Sequence, residues 1–271
     1  MAVNGKVNSI YAAVDMTDIV SADFPGGIVC AFTTRMPGKA TPNEDAIAMI
    51  PCGSHAGVLA VADGLGGQPA GDQASGQVLA SLALSMKDHC ADPDAVRNSI
   101  LNGVEQADSA IAAMGIGAAT TVSIVDIHER DIRSYHVGDS MMLVTGQRGR
   151  IKYQTVPHSP VGYAVEAGIL DAETAMHHEE RHLVSNAVGI PHMRVEIGPR
   201  LTLAARDTLL IGSDGVFDNL QIHEIVELVR KGPLASAAEN LRARCQARMA
   251  HFEEGQPNKP DDMSFILYRP G

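Results

Sequence analysis

What this chain is short of narrows the field before any motif is read. It has four cysteines, Cys30, Cys52, Cys90 and Cys245, far apart and without a Cys-x-x-Cys pair. That argues against a zinc ribbon and a disulfide framework, and predicts reduced thiols in a cytoplasmic protein. Positive charge is scarce too: 21 Lys and Arg stand against 32 Asp and Glu, for a formal net charge of −11. Nucleic acids and anionic membranes are recruited by basic patches, so neither is expected as a partner. No apolar run approaches the ~18 residues of a membrane span, and the short uncharged stretch 7–14 is poor material for a signal peptide. Loop glycines at 114–119 come without a P-loop lysine, which argues against nucleotide binding. There is no repeat of fixed period and no low-complexity tract.

What is present is an ordinary globular composition, 45% apolar and 20% charged, over 271 residues. Residues 1–23 show no strong period and read as an N-terminal extension or an added edge strand, leaving 24–271 as one domain. Short β-rich runs follow at 28–34, 46–50 and 58–62. Two helical segments come next, over 70–89 with Val78, Leu79, Leu82 and Met86 on one face, and over 94–114 with Val96, Ile100, Val104, Ala107 and Ile111. Asp92-Pro93 is the start signal of the second. Strands are expected at 120–127, 132–137, 141–145 and 151–156, then a polar, histidine-rich inserted flap with short helical pieces, about 157–189. Further strands at 195–197 and 208–211, helices at 222–230 and 234–251, and a last strand at 263–268 complete the pattern. Strand runs with paired helices between them, and no βαβα alternation, predict an α+β layered fold with antiparallel sheets.

One device recurs along this frame: an aspartate against a strand end. Val58 to Ala62 runs into Asp63-Gly64 and three more glycines, Gly66, Gly67 and Gly71. Asn43-Glu44-Asp45 precedes the strand at 46, Gly138-Asp139-Ser140 follows one, Gly212-Ser213-Asp214-Gly215 ends another, and Asp261-Asp262 opens the last. Any one of these is more simply a turn or a cap. Five together, in a chain without clustered cysteines, suggest convergence. Converging carboxylates raise one another's pKa unless cations compensate. With oxygen ligands the cation should be hard, Mg²⁺ or Mn²⁺ before Zn²⁺.

The set Asn-Glu-Asp-Ala (43–46), Val-Ala-Asp-Gly-Leu-Gly-Gly (61–67), Gly-Asp-Ser (138–140), Gly-Ser-Asp-Gly (212–215) and Asp-Asp-Met-Ser (261–264) resembles the metal-dependent protein phosphatases, the PPM or type 2C serine/threonine phosphatases, and most of all their bacterial branch. The motifs occur in family order and span about 27–269. The resemblance implies a central antiparallel β-sandwich flanked by helices on both sides, with two metals in a cleft at one edge. By motif position Asp63 bridges both metals and the Gly64 carbonyl ligates one. Asp214 and Asp261 complete one metal's protein shell, Glu44 and Asp45 sit at its edge, and Asp139 with Asp214 can hold a third ion. Asp63 and Asp214 are the implied catalytic residues. The implied chemistry is attack of metal-activated water on phosphoserine or phosphothreonine. The implied partner is a phosphorylated protein, in a monomeric enzyme opposing a serine/threonine kinase.

The chain departs from the family pattern at several positions. Ala40 stands where the family has a phosphate-binding arginine, which leaves Lys39 or Arg35 to reach the phosphate. Gln68 stands where many members carry a histidine, Pro157 replaces an aspartate, and Met141 replaces an arginine. These losses motivate a second reading, a pseudophosphatase that keeps the fold and binds a regulator. A remote third, a zinc metallopeptidase, rests on His178, Glu179 and His182, which match His-Glu-x-x-His. That motif needs both histidines on one buried helix face, whereas here Glu180 and Arg181 fill the middle.

Overall fold

The computed structural model describes residues 8–87 and 93–271. Five strands come first, β1 (Ser9–Ala12), β2 (Val20–Phe24), β3 (Gly27–Thr34), β4 (Asp45–Cys52) and β5 (Ala56–Asp63), followed by two helices, α1 (Gly71–Met86) and α2 (Pro93–Ala112). Strands β6 (Val122–His128), β7 (Asp131–Val137), β8 (Met141–Thr145) and β9 (Ile151–Gln154) lead into the flap. The flap holds α3 (Pro160–Glu166), α4 (Ala172–Ala175) and a 3-10 turn, Glu179–His182. Then come β10 (Glu196–Ile197), β11 (Leu201–Thr202), β12 (Thr208–Gly212), α5 (Asp214–Phe217), α6 (Ile222–Val229), α7 (Leu234–Ala250) and β13 (Met263–Pro270).

The strands pair antiparallel in two sheets. One runs β1-β4-β5-β6-β7-β10, with β11 also on β7; the other runs β2-β3-β13-β12-β8-β9. Three apolar layers separate four layers of structure. Helices α1 and α2 cover the outer face of the first sheet, α5 to α7 cover the outer face of the second, and the inner faces pack on each other. Strand β5 shows why its run is apolar throughout. Val58, Ala60 and Ala62 face the helices while Leu59 and Val61 face the second sheet, so both sides of the pleat are buried. Each buried Val or Leu there contributes ~1.5–3 kcal/mol on leaving water, which fixes the register by making a one-residue slip costly.

The expected α+β sandwich is observed, and three expectations are sharpened or revised in detail. Of the two readings of the N-terminal stretch, an extension or an added edge strand, the second is seen among the described residues, once in each sheet: β1 pairs with β4 and β2 with β3. Both are half-exposed, so their alternation is weak in sequence. The thiols are not all reduced. Cys52 is disulfide-bonded, Cys30 and Cys245 are buried free thiols, and Cys90 lies outside the described residues, as does Asp92 of the helix-start signal. Finally, the turn expected at Gly212–Gly215 opens a single helical turn, α5, with Asp214 as its first residue. Among the described residues no helix is long and apolar enough to cross a membrane.

Candidate metal centre

Strand register assembles the site. Asp45 is the first residue of β4 and sits opposite Asp63, the last of β5. Antiparallel pairing places the start of one strand beside the end of the next, so the two carboxylates share one rim of the first sheet. In the second sheet Gly212 pairs with Phe265, which brings Asp214 and Asp261 to the same rim just beyond the paired segment. Asp139 follows β7 after the single residue Gly138.

Side-chain bonds lock the two rims together. Ser213 Oγ donates to Asp45 Oδ2 at 2.7 Å and accepts from the Ser264 backbone N–H at 3.0 Å. Asn43 accepts from the Asp45 N–H at 3.0 Å while its amide donates to Val14 O and Thr33 Oγ1, both at 2.8 Å. Glycine is required at two points of close approach. A Cβ on Gly64 would lie 2.3 Å from the Gly71 carbonyl oxygen, and one on Gly215 would lie 2.0 Å from the Asp262 carbonyl oxygen.

The carboxylates pay for this convergence. Burial, reinforced by Asp45, Asp214, Asp261 and Asp139, pushes Asp63 well above the usual carboxylate range. Burial likewise raises Asp45, with Asp262 and Asp214 adding to it against the Ser213 bond. Asp139 is pushed up to about 8 by burial and then by Asp214 and Asp218, and Asp261 to about 7 by burial and Asp214. Asp45 Oδ1 and Asp214 Oδ1 are buried without a hydrogen-bond partner. A buried unpaired acceptor costs about 1–3 kcal/mol, more when charged. Hard, all-oxygen donors with unfilled lone pairs fit Mg²⁺ or Mn²⁺. No three rim carboxylates form a tight cage. Among the described residues, the group of three whose ligand atoms all lie within 4.8 Å is elsewhere: His136, His158 and Glu196. A wider spacing suits ions that keep water in part of their shell.

Two lysines sit among the carboxylates. Lys39 Nζ is 2.5 Å from Glu44 Oε2 and 2.6 Å from Asp262 Oδ2. Asp262 also accepts from the Met36 and Glu44 backbone N–H groups, both at 2.7 Å, and so anchors the Glu44 segment. Burial would lower Lys39, but Asp262 and Glu44 outweigh it and hold the ammonium above its ordinary pKa. Lys259 ion-pairs with Asp214 and lies 3.0 Å from Asp218 Oδ2 and 3.3 Å from Asp261 Oδ2; again the carboxylates outweigh burial and raise it. Sequence reasoning passed over both Lys259 and Asp218. The signals were there: Asp218 lies one helical turn after Asp214, its N–H bonded to the Asp214 carbonyl, and Lys259 precedes Asp261 by two residues. Arg35, the other cation considered for phosphate, is exposed and bound to Asp15 at 3.1 Å.

The histidine group is self-contained. His158 Nδ1 accepts from the Gly138 N–H at 3.1 Å and contacts the Asn186 amide at 2.9 Å, so Nε2 carries the proton and donates to Glu196 at 3.2 Å. His136 Nε2 faces the Val156 carbonyl at 3.0 Å, and the rings stack with centroids 4.3 Å apart. Only His136 Nδ1 keeps a free lone pair, which is too little for a metal site. The zinc-peptidase reading of His178, Glu179 and His182 is overturned. His178 stands outside the 3-10 turn as its cap, accepting from the Glu180 N–H at 3.1 Å, so the two histidines do not share the face of an α-helix.

Comparison with known proteins agrees with this geometry. The family model described as Protein phosphatase 2C matches residues 36–252. Protein phosphatase PhpP of Streptococcus pneumoniae is 28% identical over 219 residues, covering 77% of this chain and 87% of that protein. The solved serine/threonine phosphatase Stp1 of Staphylococcus aureus superposes with a TM-score of 0.78 at 23% identity, covering 92% of this chain and 98% of that one. The catalytic domain of PstP, solved in complex with two manganese ions, gives a TM-score of 0.68 at 24% identity, covering 89% and 96% of the two chains. The family model spans well over half of the sequence and includes the strand-end aspartates Asp45, Asp63, Asp139 and Asp214. The chain therefore belongs to the protein phosphatase 2C family.

Proposed function

We propose that this chain is a serine/threonine protein phosphatase whose rim carboxylates hold two divalent cations, Mg²⁺ or Mn²⁺. Asp63, the Gly64 carbonyl, Glu44, Asp45, Asp214 and Asp261 would hold these ions, with Asp63 central among them, and Asp139 with Asp214 would offer a looser third position. The observation that carries this reading is the pair of buried, unpartnered oxygens, Asp45 Oδ1 and Asp214 Oδ1, on the two facing rims. Such cations, when bound, polarise phosphoryl oxygens and lower the pKa of water enough for it to attack at neutral pH.

The chain's own residues prepare that chemistry. Ser213 holds one oxygen of Asp45 and leaves the other unbonded. Asp262 fixes the Glu44 backbone from the opposite rim. Lys39, already beside Glu44, is the cation assigned to the substrate phosphate in place of the absent arginine, with Arg35 as the reserve held off by Asp15. The substrate is a phosphorylated protein, in keeping with the names of the relatives, and the enzyme opposes a serine/threonine kinase as a cytoplasmic monomer.

The test is hydrolysis of p-nitrophenyl phosphate and of a phosphothreonine peptide with Mn²⁺ or Mg²⁺, against Asp63→Asn. Metal-dependent turnover by the wild type alone is the expected result. No turnover above the Asp63→Asn control would favour the pseudophosphatase reading, which Ala40 and the lysine-filled cluster also support. Lys39→Ala is expected to raise KM severalfold.

A further inference from the structure

A cavity of about 900 Å³ opens beside the rim carboxylates and extends well beyond them. Asp139, Asp214 and Asp218 form one end of it. From there it runs between the flap and the α5–α6 wall, over β8, β9 and the residues after them. Its body is apolar: Val156 after β9, Val165 on α3, Met176 after α4, and Phe217 and Ile222 on the opposite wall. The flap side is tied down by Arg181, which donates to the Met176 carbonyl within the flap and, at 3.0 Å, to the Asn258 carbonyl in the loop that carries Lys259 and Asp261. Two exposed acids, Glu166 and Glu227, also line it, while its one cation, Arg181, has two of its donors committed to backbone carbonyls.

We propose that this cavity is the subsite for the substrate segment next to the phosphorylated residue, and that it selects a bulky apolar side chain in preference to an acidic one. The proposal rests on the phosphatase reading above. A phosphoryl group at the rim leaves its own polypeptide within a few residues of the apolar walls, because an extended chain advances ~3.3 Å per residue. Space of this size matches the ~300–1,000 Å³ of built ligand sites. Walls of Val, Met, Phe and Ile gain from covering an aliphatic or aromatic group. A carboxylate there would lose its water and meet Glu166 and the rim acids, while Glu227 is already neutralised by Arg230 at 2.8 Å.

The experiment compares two phosphothreonine peptides, identical except that the positions two and three residues from the phosphothreonine on each side carry Leu in one and Asp in the other. The wild-type enzyme is expected to show kcat/KM at least about tenfold higher for the Leu peptide, the scale at which apolar pockets discriminate. Val165→Asp and Ile222→Asp should each bring that ratio to within about twofold. Because a ratio is read, a general loss of activity does not mimic the effect, and Met176→Ala gives a milder variant if either charge change prevents folding. Equal kcat/KM for the two peptides in the wild type overturns the proposal, as does a ratio that survives both charged variants. p-Nitrophenyl phosphate, which has no flanking residues, separates the two claims. Its hydrolysis with no peptide preference sinks the subsite alone, and its resistance to the enzyme sinks the phosphatase reading beneath it.

Discussion

The rim carboxylates and the His136–His158 pair are both buried ionisable groups, yet the protein treats them in opposite ways. In the histidine pair both ring nitrogens of His158 and one of His136 have partners supplied by the chain, the remaining one, His136 Nδ1, needs none as a neutral acceptor, and burial keeps the imidazoles neutral and structural. At the rim, acids face acids, two oxygens go unpartnered, and the nearest relief is a pair of lysines. Burial alone does not distinguish a functional cluster from a packed one. What separates them is whether the fold has furnished partners for the charged form. Where it has withheld them, the missing charge must come from outside.

The largest test of this contrast is Asp63→Asn. Even outer partners of metal ligands carry ~10–100-fold in affinity or activity, so loss of a bridging ligand should exceed a hundredfold in Mn²⁺-dependent hydrolysis. Asp63 being a ligand by proposal only, the same change has a metal-free readout: it relieves repulsion with Asp45, Asp214, Asp261 and Asp139, and should raise the thermal midpoint of the metal-free protein. A variant both inactive and less stable would mean that the acids are already compensated.

Next in size is the pH response of the histidine pair. Burial and then His158 lower His136 from about 6.5 to about 4, and burial also lowers His158. Between those values the unfolded chain binds a proton that the folded one refuses, so stability falls as pH drops from about 6.5 to about 4. For His136 the loss is about 3 kcal/mol, at about 1.4 kcal/mol per pH unit. Urea denaturation of wild type and His136→Gln at pH 7 and 4.5 isolates it, because the difference between the two proteins cancels the carboxylates. Parallel pH curves would refute a buried neutral pair.

A smaller effect is expected at Lys259. If its ammonium fills a place a cation would otherwise take, Lys259→Met should tighten Mn²⁺ binding by about tenfold, or about 1.4 kcal/mol, in calorimetric titration. Unchanged or weaker binding would make Lys259 a support for the acids and not a rival to the metal. Smallest is Arg35→Ala. Its pair with Asp15 is 43% and 40% exposed, so stability should move by no more than about 1 kcal/mol, and KM by less than about twofold. A large rise in KM would transfer the phosphate from Lys39 to Arg35.

Much of this was legible in the sequence, for definite reasons. Central strands such as β5 and β13 are buried on both faces, so they stand out as largely apolar runs, and the aspartates at their ends, Asp63 as the last residue of β5 and Asp261 two residues before β13, are legible with them. Edge strands β1 and β2 bury only part of their side chains and leave no such mark. Lys39 was legible as a candidate phosphate ligand from its place beside the missing arginine, whereas Lys259 was not legible as a site residue, because its position two residues before Asp261 does not tell whether its ammonium faces water or three carboxylates. The disulfide at Cys52 was missed because wide spacing in sequence says nothing of spacing in space. His-Glu-x-x-His misled for a related reason: the spelling was present, but the backbone there makes a 3-10 turn.

Strand β13 lies third of six in its sheet, between β3 and β12, although it follows every other described strand in sequence. Until it pairs, its sheet has a gap at the centre, Ser213 lacks the Ser264 N–H, and Asp261 has not joined the rim. Pairing across so long a stretch of chain is slow and comes late in folding. Gathering of the rim carboxylates and closure of the second sheet are therefore a single late event, and no partly folded form holds the candidate site without the sheet.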